Sequence, residues 1–92
     1  MINIRPIQPH QITEAKYLIS AVAQRIFIPE KTVQEFYDIL EEEGELNDMD
    51  NQQQVYVENQ GILLVVLDEE KIIGTGAIKR LEENIAELKR LW

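Results

Sequence analysis

Cysteine is absent from this chain, and glycine, proline, histidine and tryptophan are scarce at four, three, one and one residues. Without cysteine there is no disulfide, no thiolate zinc site and no cysteine nucleophile, and no other metal site is expected. No Gly/Ser-rich linker and no internal repeat divide the sequence, so its 92 residues read as a single domain, 1–92. No apolar run approaches the roughly 20 residues that span a bilayer. The opening Met1-Ile-Asn-Ile-Arg5 lacks the basic-then-apolar layout of a signal peptide. A cytoplasmic location without a membrane partner is therefore expected. Basic charge is also short: nine Lys and Arg against 17 Asp and Glu leave a net charge of −8. That balance disfavours nucleic-acid phosphates and anionic membrane surfaces. A basic partner or an amine substrate is compatible with it, although acidity alone commonly serves solubility.

What is present is enough apolar residue, 45%, to form a core. A chain of this size buries only about 60–65% of the surface its unfolded form exposes, so modest stability is expected unless a partner adds to it. Residues 1–7 alternate, with Ile2, Ile4 and Pro6 on one side and Asn3, Arg5 and Ile7 on the other. This is a short strand that Pro6 confines to an edge or a strand end. Pro9 suits a first helical position. From there Ile12, Ala15, Ile19, Val22, Ala23 and Ile26 recur at three- and four-residue spacing, predicting an amphipathic helix over 9–26 that ends before Pro29. Glu14, Lys16, Gln24 and Arg25 mark its wet side. The lone histidine, His10, falls at the helix start and reads as a solvated capping-region residue rather than a catalyst.

Thr32-Val-Gln-Glu35 is a capping-box pattern opening a second helix, with Val33, Phe36, Tyr37 and Leu40 as its buried stripe and Gly44 as its stop. The acids from Glu35 to Asp50 read as a solvated helix face and loop in preference to a metal or basic-partner patch. Residues 47–60, rich in Asn, Gln and Asp, predict a loop anchored by Val55-Tyr56-Val57.

Residues 61–92 carry three strand-like runs. Ile62 to Leu67 is apolar without alternation and predicts a strand covered on both faces. Asp68-Glu69-Glu70 turns the chain, and Lys71 to Arg80 returns antiparallel. Gly74 and Gly76 inside this strand mark a bulge or a close approach. A second turn over 81–84 leads to a third run with Ile85, Glu87, Lys89 and Leu91 on one face and Ala86, Leu88, Arg90 and Trp92 on the other, unless a bulge intervenes. The fold class is α+β: a mostly antiparallel four-stranded sheet with two helices inserted between strands 1 and 2. Two helices blanket one face only, and the last strand is an open edge that invites pairing with another chain.

This order of elements resembles the first half of the GNAT-type N-acetyltransferase superfamily, a partial acyl-CoA N-acyltransferase fold. Ile4-Arg5-Pro6 is similar to the usual first strand, Leu64 to Ile78 to the following hairpin, and Ala86-Glu-Leu-Lys-Arg-Leu-Trp92 to the fourth strand. In that family the fourth strand leads into an Arg/Gln-x-x-Gly-x-Gly/Ala loop. This loop and the helix after it hold the pyrophosphate of acetyl-CoA through backbone N–H groups. The resemblance thus implies acetyl-CoA as cofactor, while the loop is expected to be missing here; Gly74-Thr75-Gly76 lies within a strand and does not replace it. The chain alone is expected to bind no cofactor and to be inactive. The resemblance further implies Glu87 as a general base toward an amine, set against a surface glutamate beside Lys89, and the backbone of Leu91 and Trp92 as the place for the acetyl and pantetheine groups. Three functional expectations follow. The first is an incomplete, non-catalytic half-domain that forms a homodimer through its exposed sheet. The second is one part of an acetyl-CoA-dependent amine N-acetyltransferase completed by a C-terminal half. The third is an acidic module that binds a basic protein.

Overall fold

The computed structural model describes residues 1–82 and 85–92. Strands β1 (Ile2–Pro6), β2 (Ile62–Asp68), β3 (Lys71–Glu82) and β4 (Ile85–Lys89) form one sheet in chain order, every neighbouring pair antiparallel. Between β1 and β2 come a 3-10 turn (Pro9–Gln11), α1 (Ile12–Phe27), α2 (Val33–Glu42), the single-turn helices α3 (Asn47–Asp50) and α4 (Gln52–Val55), and a second 3-10 turn (Val57–Asn59). This is the expected α+β arrangement, with β1 and β4 at the two edges. Among the described residues no helix is long and apolar enough to cross a membrane. The turn predicted over 81–84 falls partly on residues 83 and 84, outside the described residues, and so does the facing of the Ile85 side chain.

Local chemistry sets the helix boundaries as predicted. Pro9 opens the first turn, and α1 stops two residues before Pro29, where a helical conformation ahead of a proline is disfavoured. Thr32 and Glu35 cap α2 reciprocally: the Glu35 amide donates to Thr32 Oγ1 (3.1 Å) and the Thr32 amide to Glu35 Oε1 (3.0 Å). Gly44 follows α2 with φ +71°, the left-handed conformation that glycine adopts at a helix end. Helix α1 lies across β3, burying Ala15, Ile19 and Ala23, and α2 packs chiefly on α1. Tyr17 and Tyr37 stack between the two helices with ring centroids 4.1 Å apart. The helices therefore form two layers over one sheet face rather than lying side by side on it.

Four expectations are corrected. Lys16, assigned to the wet side of α1, is 4% exposed. Its ammonium lies 2.6 Å from both Glu41 Oε1 and Asp50 Oδ2, so the buried lysine is neutralised by two carboxylates that themselves reach solvent. Ile26, assigned to the apolar stripe, is 61% exposed because the end of α1 runs past the sheet's cover. Residues 47–60 are mostly short helical turns rather than loop, since burial of Leu46, Met49 and Tyr56 folds them onto the core. Finally, β2 is fully covered on one face only: Leu63, Val65 and Leu67 are buried under the helices, while Ile62, Leu64 and Val66 are half-buried on the other side.

That second face is apolar and lacks a helix layer. Ile2 and Ile4 continue it across β1, Ile78 across β3, and Leu88 across β4, all exposed. The two β3 glycines do what their position implied. Val66 pairs with Gly74 and Leu67 with Ile72, so Ile73 is an extra residue in a bulge beside Gly74. The Ile72 amide donates to Glu14 Oε2 of α1 at 3.0 Å. Gly76 leaves room for Leu91, whose Cδ2 would lie 3.3 Å from an added Cβ.

Two backbone positions generate predictions. A Cβ at Gly61 would stand 2.1 Å from the Ile78 carbonyl oxygen, a contact that only backbone displacement relieves. Gly61→Ala is expected to cost about 2–3 kcal/mol and to lower the thermal midpoint by roughly 10 °C or more in a calorimetric scan. Conversely, the two-residue β2–β3 turn places Glu69 (φ +50°) and Glu70 (φ +71°) in the left-handed region, where Asn-Gly is favoured. The pair Glu69→Asn and Glu70→Gly is expected to raise the same midpoint by about 5 °C.

Candidate functional site

The chemistry-bearing side chains nearest the residues singled out from the sequence gather at the end of β4. In β4, Glu87 pairs with Lys79 and Lys89 with Ala77. On that register Trp92 would not face Thr75, yet the Trp92 amide donates to the Thr75 carbonyl at 3.2 Å. One residue has been inserted, and Arg90 carries it, with φ +54°. This is a bulge with its first residue left-handed, a place glycine usually takes.

The arginine is held there from both ends. Its carbonyl accepts from Thr75 Oγ1 at 2.7 Å. Its guanidinium grips Asp48 in fork geometry, Nη2 to Oδ1 at 2.6 Å and Nε to Oδ2 at 3.0 Å, and Nη2 also donates to the Glu45 carbonyl at 2.7 Å. The Tyr56 hydroxyl donates to Asp48 Oδ2, and Tyr56 is fully buried. Burial pushes the Asp48 carboxyl up, but the hydrogen bonds from Arg90 and Tyr56 and the arginine charge outweigh it and hold the group below the usual aspartate value. Burial, reinforced by the bond to Asp48, raises the Tyr56 hydroxyl well above the ordinary tyrosine value, so it stays a donor. Asp48 fixes the Arg90 guanidinium in its charged form against the opposing effect of burial.

The bulge decides which way the last residues point. Without it, Leu91 would share a face with Glu87 and Lys89. With it, Leu91 lies over Gly76 on the uncovered apolar face and is 63% exposed, while Trp92 turns inward and packs against the core. Leu91 and Trp92 are thus brought together beside Thr75. Glu87 stands apart, exposed, on the regular part of β4. His10 is exposed in the first 3-10 turn and lines an open groove of about 800 Å³ between β1 and the start of α1, with Arg5, Gln11 and Glu14. The groove lies at the opposite edge of the sheet from β4.

Asp48, Tyr56, Thr75 and Arg90 were not singled out from the sequence as site residues. Tyr56 carried a trace, as the centre of an apolar triplet in a polar stretch. Asp48 looked like one more acid in a solvated run, and its partner lies 42 residues away.

Comparison with known proteins agrees with this architecture. The chain superposes on an acetyltransferase of the GNAT family from Staphylococcus aureus with a TM-score of 0.76 and 19% identity, covering 100% of this chain and 52% of that one. An acetyltransferase from Streptococcus agalactiae gives 0.73 and 21%, covering 98% and 50%. The PaiA N-acetyltransferase from Thermoplasma acidophilum, solved in complex with coenzyme A, gives 0.68 and 18%, covering 99% and 57%. No family model and no curated protein matches the chain. At these identities the likeness establishes the fold. The chain has the fold of about half of a GNAT-type N-acetyltransferase, and it spans about half the length of the solved structures it matches.

The clamp on Arg90 predicts a pH signature. A carboxyl lowered in the folded state contributes stability that is fully present above the unfolded value of about 4 and is lost as the pH falls through the lower folded value. Asp48→Asn is expected to reduce unfolding free energy at neutral pH by about 2 kcal/mol, leaving the guanidinium half-buried without a counter-charge. Urea titrations of both proteins between pH 7 and 2 are expected to converge in acid, where the wild-type advantage disappears.

Proposed function

We propose that this chain is a catalytically incomplete half-domain of the acyl-CoA N-acyltransferase type that associates through its uncovered sheet. The observation that carries this reading is the one-sided sheet. Helices cover one face, the other presents Ile4, Leu64, Val66, Ile78 and Leu88, and β4 has an open outer edge. An antiparallel sheet commonly leaves one face to solvent, but such a face is normally polar, whereas this one is apolar.

The cofactor fit supports the same conclusion. A pyrophosphate cradle needs convergent backbone N–H groups at a helix start or in a nest. The paired glycines of residues 1–92, Gly74 and Gly76, lie inside the β3 ladder, and the space over them is taken by Val66, the Trp92 carbonyl and Leu91. They offer no room for a phosphate, so no catalytic step is assigned to acetyl-CoA on this chain alone.

A second reading keeps enzymatic chemistry: completion by a C-terminal half would make the assembly an amine N-acetyltransferase. The Arg90 bulge supports it, because it interrupts the regular β4 ladder just before Leu91 and Trp92, whose backbone the family resemblance implies for the acetyl and pantetheine groups. In that assembly Glu87 would require burial by the completing half before its carboxylate could serve as a base near neutral pH. The acidic-module reading has no specific observation in its favour, since surplus acidity commonly serves solubility and Glu41, Asp48 and Asp50 are engaged by Lys16 and Arg90.

Isothermal titration of acetyl-CoA into the 92-residue chain is expected to show no binding. Saturable micromolar binding would overturn the half-domain reading.

A further inference from the structure

We propose that the partner taken up by the open edge is a second copy of this chain, joined β4 to β4 antiparallel about a two-fold axis through Leu88. The proposal rests on the half-domain reading and names the occupant of its exposed edge.

The hydrogen-bond phase of the sheet determines which groups are available. The Ile7 amide donates to the Leu63 carbonyl, so Leu63 and Val65 direct their main-chain groups toward β1, and Ile62, Leu64 and Val66 direct theirs toward β3. Thr75 accepts from Trp92, so Thr75, Ala77 and Lys79 of β3 address β4. Glu87 and Lys89, opposite Lys79 and Ala77, therefore turn their N–H and C=O groups inward. Ala86 and Leu88 turn theirs outward, to the open edge, and both residues are exposed. An unpaired row of this kind is a template for another strand.

A two-fold axis makes residue i meet residue j and residue j meet residue i. With the axis through Leu88, the outward N–H and C=O of Leu88 exchange bonds with those of the second Leu88, which the phase permits. On one face the two leucines, each 62% exposed in the single chain, then cover each other at the margin of the apolar surface. On the other face Glu87 stands directly opposite Lys89 of the second copy, and Lys89 opposite its Glu87. Since Glu87 already faces Lys79 within its own chain, charges would alternate Lys79, Glu87, Lys89 across three strands. Moving the axis by one residue in either direction still sets outward-bonding residues opposite one another, but it brings Glu87 against Glu87 or Lys89 against Lys89. Hydrogen-bond phase requires the axis to pass through a residue, and among those registers charge selects the one through Leu88. The bulge at Arg90 ends the ladder, confining it to Ala86–Arg90. Opposite charges directly across an antiparallel pair stabilise it, and like charges there oppose it.

The test uses sedimentation equilibrium of the chain at micromolar concentration, with circular dichroism as the check on folding. The wild type is expected to be a dimer. Glu87→Lys alone and Lys89→Glu alone each set like charges opposite at two symmetric positions, and each is expected to weaken dimerisation about tenfold or more. Mixing these two single variants restores opposite charges at both positions, so a heterodimer is expected to form from two chains that self-associate poorly. Its formation also shows that both variants are folded. A wild-type monomer throughout, a dimer indifferent to both single substitutions, or a mixture that fails to associate would overturn the proposal. The half-domain reading fails on a different measurement, acetyl-CoA binding by the chain alone, so the two failures are distinguishable.

Discussion

The guanidinium of Arg90 locked onto the carboxylate of Asp48 ties the far end of the sheet to the middle of the chain. Each of its consequences is local, yet together they shape this side of the molecule. An arginine in the left-handed region is strained by roughly 1–2 kcal/mol, and the fork to Asp48, the bond to Glu45 and the hydroxyl of Thr75 keep it there. With Arg90 so placed, β4 acquires its bulge, Leu91 moves to the apolar face and Trp92 enters the core. In the other direction, the same carboxylate accepts from Tyr56, whose ring fills the core beside Leu46 and Met49. The polar stretch between α2 and β2 is thereby folded against the sheet rather than left as a free loop.

A parallel arrangement operates at Lys16. An ammonium buried under two carboxylates joins α1 to the end of α2 and to α3. Burial pulls its pKa down, and the hydrogen bonds and charges of Asp50 and Glu41 outweigh that effect, holding it above the ordinary lysine value. The stability linked to the lysine's own titration is therefore present below the ordinary lysine value and is lost as the pH rises through the higher folded value. In a chain of net charge −8, Lys16 and Arg90 each neutralise carboxylates that would otherwise repel their neighbours. Three of the 17 acidic residues, Glu41, Asp48 and Asp50, are thus engaged in closing the fold.

This division explains what the sequence made legible. Features governed by neighbours in the chain were readable: the Thr32–Glu35 cap, the stops at Pro29 and Gly44, the turn after β2, and the bulge signalled by Gly74. Element order followed from these, and with it the half-acetyltransferase fold. Features governed by distant partners were not. Spacing placed Lys16 on the wet side because a helical period records direction, not what later packs against it; its partners lie 25 and 34 residues away. Asp48 and Tyr56 escaped notice for the same reason. Arg90 and the Glu69–Glu70 turn adopt backbone conformations that their side chains do not favour, so no propensity announces them. The unalternating run of β2 was read as needing two covers, and the structure supplies one. Here the sequence pattern and the single chain differ, and the difference falls on the uncovered apolar face.

The open edge and the bulge occupy the same few residues, which links association to any chemistry in the half-domain reading. The outward N–H and C=O groups of Ala86 and Leu88 accept one strand at a time. A completing half that extended the sheet beyond β4 would use the groups that a second copy uses. The two partners therefore compete for the edge, and a homodimer would hold the Leu91–Trp92 backbone away from any cofactor-binding half. The face differs from the edge in this respect. Pairing two β4 strands covers Leu88 and little else of the apolar surface, leaving Ile4, Leu64 and Val66 as they are in the single chain. A β4-paired dimer is thus sufficient to saturate the edge and insufficient to cover the sheet, so the remaining apolar face would still favour a helix layer from a partner even after the edge is filled.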